Sequence, residues 1–170
     1  MQTNIRSCQP NEFGKVGQLM VSVYSALDGF PKPSEQPKYY EMLANVGDFV
    51  KKRGTELLVA ESGGDILGAV VYFDDMQNYG SGGMAIHEKN ASGFRLLAVD
   101  PAARGKGIGK MLVEACISKA KEKSHHQVIL HTTRSMQTAW KMYEAMGFRR
   151  STDLDFMQGT LEVFGFRMDL

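Results

Sequence analysis

The segment that most restricts this chain runs Leu96-Leu97-Ala98-Val99-Asp100-Pro101-Ala102-Ala103-Arg104-Gly105-Lys106-Gly107-Ile108-Gly109-Lys110. A short apolar run, suited to a buried strand, enters a turn rich in glycine and base and continues into helical spacing. A strand-turn-helix unit of this kind belongs to an α/β protein. The first N–H groups of a helix have no acceptor within it, and the macrodipole adds positive potential there. Glycines let the backbone approach a ligand closely, so the turn can wrap a phosphate group. With Arg104, Lys106 and Lys110 beside it, the guest it suits is a diphosphate.

Two familiar phosphate-binding patterns do not fit. A P-loop needs four residues between its first glycine and Gly-Lys, followed by Ser or Thr. Here three residues separate Gly105 from Gly109-Lys110, and Met111 follows. A dinucleotide fingerprint needs G-x-G-x-x-G directly after the strand and an acid about 20 residues on. This turn reads G-x-G-x-G, begins well past Val99, and the next apolar run ends in His131-Thr132.

The remaining periodicities place this unit inside one domain of 170 residues. A short strand is expected near residues 4–8, then a helix that Pro10 opens and that Phe13, Val16, Met20, Val23 and Leu27 pattern. A proline-rich loop, residues 29–37, precedes a second helix over about 38–52. Residues 56–61 and 66–73 read as strands joined by Ser62-Gly63-Gly64-Asp65. Residues 78–93 lose periodicity and gain glycine, which predicts a mobile lid. After strand 94–99 come helix 108–123, strand 127–131, a helix over 135–146 closed by Gly147, and strands near 148–152 and 161–168. The order β-α-α-β-β-β-α-β-α-β-β predicts an α/β fold with a mixed sheet.

A net charge of +1 gives no global field to recruit nucleic acid or an anionic membrane, so an anionic ligand needs a local arrangement of donors. Cys8 and Cys116 form no disulfide framework or metal-ligand spacing, and no window approaches the roughly 20 apolar residues of a membrane span. A cytoplasmic protein without metal is the expectation. His125-His126 lies at a helix end, where neighbouring imidazoles point apart.

V-D-P-A-A-R-G-K-G-I-G-K resembles the acyl-CoA-binding motif of the GNAT superfamily of N-acetyltransferases, whose core pattern is Arg/Gln-x-x-Gly-x-Gly/Ala. Arg104, Gly107 and Gly109 occupy its fixed positions. Downstream, Ala139-Trp140-Lys141-Met142-Tyr143-Glu144-Ala145-Met146-Gly147-Phe148 is similar to the family's A-x-x-x-Y-x-x-x-G-F helix end. The resemblance implies a central mixed, mostly antiparallel sheet flanked by helices. It implies acetyl-CoA as co-substrate, with pantetheine along Leu97, Ala98 and Val99 and diphosphate on Arg104, Gly105, Lys106, Gly107, Ile108, Gly109 and Lys110. It further implies direct transfer to a primary amine, with Tyr143 as the acid that protonates the departing thiolate, and it allows for a homodimer.

Two positions depart from the family pattern. Met136 stands where many members carry a cofactor-contacting Asn, and Gly93 where many carry an acid. The general base is therefore unassigned among Glu61, Asp74, Glu88, His87 and His131. The alternative is a non-catalytic acyl-CoA-binding module, for which the missing acid speaks. For Tyr143 the competing role is core packing with Ala139, Met142 and Met146. Phe30, Tyr39, Tyr40 and Tyr79 either wall an acceptor pocket or simply pack.

Overall fold

The computed structural model describes residues 2–170. Strands β1 (Asn4–Ser7), β2 (Thr55–Ser62), β3 (Asp65–Phe73), β4 (Ala91–Val99), β5 (Gln127–Thr132), β6 (Arg149–Arg150), β7 (Phe156–Gln158) and β8 (Leu161–Asp169) form the sheet. Its order is β1-β2-β3-β4-β5-β8-β6, with β7 added along β8. The pairings are antiparallel except β4 with β5, which run parallel. The mixed, mostly antiparallel sheet expected from the sequence is the one observed.

Helices α1 (Phe13–Ser25) and α2 (Pro37–Ala44) cover one face, and α3 (Ile108–Glu122) and α4 (Gln137–Met146) the other. Alternation along the strands splits the core in two. On β3, Ala69, Val71 and Phe73 join Val16, Met20 and Leu43 under α1 and α2, while Val70 and Tyr72 join Leu112, Val113 and Cys116 under α3. Cys116 is fully buried, and burial raises its thiol pKa far above the ordinary value. It is a small core residue on the inner face of α3.

Several element ends differ from the expectation, each for a local reason. The second helix stops at Ala44, because Asn45 leaves helical geometry at φ −106°, ψ 34°. The chain then tightens into a 3₁₀ turn, Val46–Lys51. Gly47 packs there against the ring of Phe13, so closely that a Cβ would meet it. The last helix begins at Gln137, two positions later than expected, and ends as expected with Gly147 left-handed at φ 104°. β7 is too short to carry a periodic signal.

The expected lid is anchored. Tyr79 and Ala85 are fully buried, Gly82 and Gly83 lie against Phe156, and β4 already begins at Ala91. The Arg95 guanidinium also donates to the Tyr79 carbonyl at 2.9 Å. Glycine content signalled freedom, but an aromatic ring and an arginine hold the segment in place.

Candidate active site

The site begins with a defect in the sheet. β4 pairs with β5 only at Ala91, Ser92 and Gly93. Towards β3, Arg95 opposes Val71 while Ala98 opposes Ala69, so β4 carries one extra residue between them. Leu96 takes that strain with φ 60°, a value rare for a residue with a branched side chain. A bulge of this kind bends its strand and ends pairing on one side. From Phe94 onward β4 and β5 part, and the edge of β4 facing β5 has no ladder partner.

The turn described at the outset sits at the end of that edge. Asp100 accepts from Ala102 N–H at 2.9 Å and caps the 3₁₀ turn Pro101–Ala103. Gly105 and Gly107 are left-handed, at φ 78° and 75°. Gly107 is also the N-cap of α3, with no side chain to satisfy the first helical N–H groups. A Cβ at either glycine would meet nothing within 4 Å, so the space above them is open. Gly109 serves differently: its Cβ position lies 3.6 Å from the Met142 sulfur, which brings α3 close to α4.

The parted strands open a cleft of about 730 Å³ that draws on both cores, reaching Tyr24 and Phe30 on one face and Ile108 and Tyr143 on the other. Tyr143 is 5% exposed, and its ring packs against Phe94 and Phe148 at 5.9 Å. No group among the described residues hydrogen-bonds its hydroxyl, yet that oxygen is not among the buried orphan atoms, so it touches the cleft. Burial raises its pKa well above the ordinary 10, and the phenol stays protonated at neutral pH. Thr132 and Thr133, at the cleft end of β5, bury hydroxyls without partners among the described residues.

Of the five candidates for a base, His131 alone lines the cleft. Glu61 receives the Gly64 N–H, Asp74 pairs with Lys123, and Glu88 pairs with Arg167; His87 lines a separate cavity with Asp74 and Glu88. The Leu154 carbonyl can only accept, so His131 Nε2 donates to it at 2.8 Å. Nδ1 is then the acceptor for the Tyr79 hydroxyl at 2.9 Å. Burial lowers the His131 pKa below its ordinary 6.5. The unfolded chain therefore binds this proton at higher pH than the folded one, and stability declines as pH falls below about 6.5 and on through the folded value. A melting series from about pH 8 to pH 5 shows that decline and a shallower one in His131→Gln; equal slopes would assign the loss to other groups.

Eight of the expected cofactor-binding residues line the cleft: Leu97, Val99, Arg104, Gly105, Gly107, Ile108, Gly109 and Lys110. Two do not. Ala98 is 1% exposed within the core under α1, and Lys106 is exposed to solvent. Met136 does line it, as the N-cap of α4 without a capping bond. Trp140 packs edge-on against Phe164 and Phe166, a packing role. The pairs Phe30–Tyr39 and Tyr24–Tyr39 form an aromatic wall, whereas Tyr79 is bonded into the interior. Sequence reasoning passed over Arg95, whose signal is a single charge inside an apolar strand.

The mixed sheet with its flanking helices is a fold shared with acetyltransferases of known structure. A GNAT-family acetyltransferase from Staphylococcus aureus Mu50 superimposes with a TM-score of 0.75 at 19% identity, covering 99% of both chains. PaiA N-acetyltransferase from Thermoplasma acidophilum, solved with coenzyme A, gives 0.71 at 16% identity over 97% of this chain and 98% of that one. The sequence model of the Acetyltransferase (GNAT) family matches residues 20–148, and the chain belongs to that family. N-acetyltransferase 8 of Rattus norvegicus is 34% identical over 103 residues, 61% of this chain and 43% of its own. N-acetylaspartate synthetase of Danio rerio is 31% identical over 102 residues, 60% of this chain and 32% of its own. The chain thus matches less than half the length of these relatives. Among the described residues no helix is long and apolar enough to cross a membrane, and no group of three His, Cys, Asp or Glu is placed to hold a metal.

Proposed function

We propose that the chain transfers an acetyl group from acetyl-CoA directly to a primary amine. The observation that carries this reading is the Tyr143 hydroxyl, free of protein partners and open to the cleft where β4 and β5 part. The residues fit the co-substrate. An unpaired strand edge suits the amides of pantetheine, and open space over two left-handed glycines at a helix N-terminus suits a diphosphate.

Bound acetyl-CoA supplies a thioester carbonyl and a thiolate leaving group. The N–H groups of residues 104–110 hold the diphosphate, with Arg104 and Lys110 adding charge. The Val99 N–H, on the edge of β4 that β5 leaves open, stabilises negative charge developing on the carbonyl oxygen. As the C–N bond forms and the C–S bond breaks, Tyr143 donates its proton to sulfur and regains one from solvent. The dry setting that raises the phenol pKa also raises the proton affinity of the leaving sulfur. The proton shed by the amine leaves through cleft water to solvent, because both ring nitrogens of His131 are engaged, Nε2–H on the Leu154 carbonyl and Nδ1 by the Tyr79 hydroxyl. The two free cysteines accord with a reducing cytoplasm.

One observation favours a second reading, a binder without acceptor chemistry. At Gly93 a Cβ would lie 2.8 Å from the Met76 sulfur and the Tyr79 ring, so no acid fits there. Thiol release from acetyl-CoA with a panel of amines separates the two. The transferase releases thiol only when amine is present and yields an N-acetyl product by mass spectrometry. Saturable acetyl-CoA binding without amine-dependent release would identify the binder.

A further inference from the structure

Four arginines are half-buried among the described residues: Arg6, Arg95, Arg150 and Arg167. Arg6 pairs with Glu12, Arg150 with Asp155, and Arg167 with Glu88 and Asp153. Arg95 has no carboxylate within ion-pairing distance, and it is the one of the four that lines the cleft. Holding a guanidinium partly out of water without a counter-charge is costly, so a fold that keeps one invites an anion.

Its position is set by the strand. Phe94 faces α4 and packs on Tyr143; Arg95, the next residue, turns to the opposite face. There its guanidinium lies 5.9 Å from the ring centres of Phe49 and Tyr79, and one N–H is spent on the Tyr79 carbonyl. The remaining donors of the planar fork have no protein acceptor among the described residues, enough for a bidentate contact. The same end of the cleft carries Tyr24, Leu27, Phe30 and Tyr39, an apolar wall. No Asp or Glu lines any part of the cleft, whereas Arg95, Arg104 and Lys110 do. A polycationic amine would meet repulsion and no partner.

We propose that Arg95 receives the carboxylate of the acetyl acceptor, which is therefore an amine bearing a carboxylate on an apolar body: an amino acid with an apolar or aromatic side chain. The proposal rests on the transferase reading of the cleft. Arg95 acts as a specificity residue, directing the amine to the bulge that opens beside it, while the aromatic wall receives the apolar side chain.

Apolar and aromatic amino acids, their carboxamides and their decarboxylated amines are compared by thiol release in the wild type, Arg95→Met and Arg95→Lys. The wild type prefers the acids in kcat/KM. Arg95→Met lowers the acid-to-amide ratio by about 10- to 100-fold, mainly through KM, the loss expected for a charged hydrogen-bonded contact. Arg95→Lys retains part of the preference, because it keeps the charge but not the fork. Acetyl-CoA affinity and far-UV circular dichroism confirm that each variant is folded. Equal or better turnover of the decarboxylated amines, or an unchanged ratio in Arg95→Met, overturns the proposal.

A binding arm does not depend on catalysis. With CoA saturating, 3-phenylpropionate raises the melting temperature more than 3-phenylpropanamide, and the difference disappears in Arg95→Met. No such difference in the wild type overturns the carboxylate site whatever the kinetics show. An Arg95-dependent difference without thiol release from any amine would instead refute the transferase reading and leave the carboxylate site standing.

Discussion

Replacing Tyr143 with phenylalanine is expected to lower kcat by about 10²-fold or more while leaving acetyl-CoA affinity nearly unchanged. The substitution keeps the ring between Phe94 and Phe148 and removes only the hydroxyl. That oxygen has no protein partner among the described residues, so its loss breaks no internal hydrogen bond. The stability cost should stay below about 1 kcal/mol, the net value of one ordinary hydrogen bond. General-acid catalysis contributes about 10²- to 10⁴-fold, and its work is done in the transition state rather than in ground-state binding. Single-turnover measurement keeps slow product release from masking the effect. A near-normal single-turnover rate would return Tyr143 to a packing role and require another proton donor.

Gly107→Val is expected to remove most of the thermal stabilisation produced by acetyl-CoA. At a ligand concentration of about 100 Kd the wild type gains about 2.7 kcal/mol; a Kd raised about 100-fold leaves only about 0.4 kcal/mol at the same concentration. Because a Cβ at Gly107 meets no protein atom, the side chain enters the space proposed for the diphosphate instead of clashing with the fold. The left-handed φ of 75° adds strain of about 1–2 kcal/mol, a tolerable fraction of a domain stability of about 5–15 kcal/mol. Far-UV circular dichroism should therefore match the wild type. An undiminished shift in that folded variant would place the co-substrate elsewhere.

Legibility varied along the chain for identifiable reasons. The run from Leu96 to Lys110 was readable because each feature is local: apolar strand, capping aspartate, left-handed glycines, amphipathic helix. The Gly147 cap is equally local. The glycine-rich stretch 78–93 reads locally as free, but its anchors are tertiary: Arg95 holds the Tyr79 carbonyl, the distant His131 holds the Tyr79 hydroxyl, and the distant Phe156 packs on Gly82 and Gly83. The five candidate bases were equivalent as letters. Only folding brought His131 to the cleft and committed Asp74 and Glu88 to cations.

The sequence by itself determined the order of elements as far as the last helix, the mixed sheet and the turn that suits a diphosphate, because spacing, capping and backbone permissiveness act over a few residues. Tertiary structure decided where the strands part, which histidine faces the cleft and which arginine is left without a counter-charge. Those properties depend on what does not lie nearby as much as on what does. The extra residue at Leu96 is visible only against the register of β3, and the solitude of Arg95 only once Glu12, Asp155, Glu88 and Asp153 are seen to pair with the other half-buried arginines. Pairing and burial are sums over the whole fold, and no local stretch of sequence contains them.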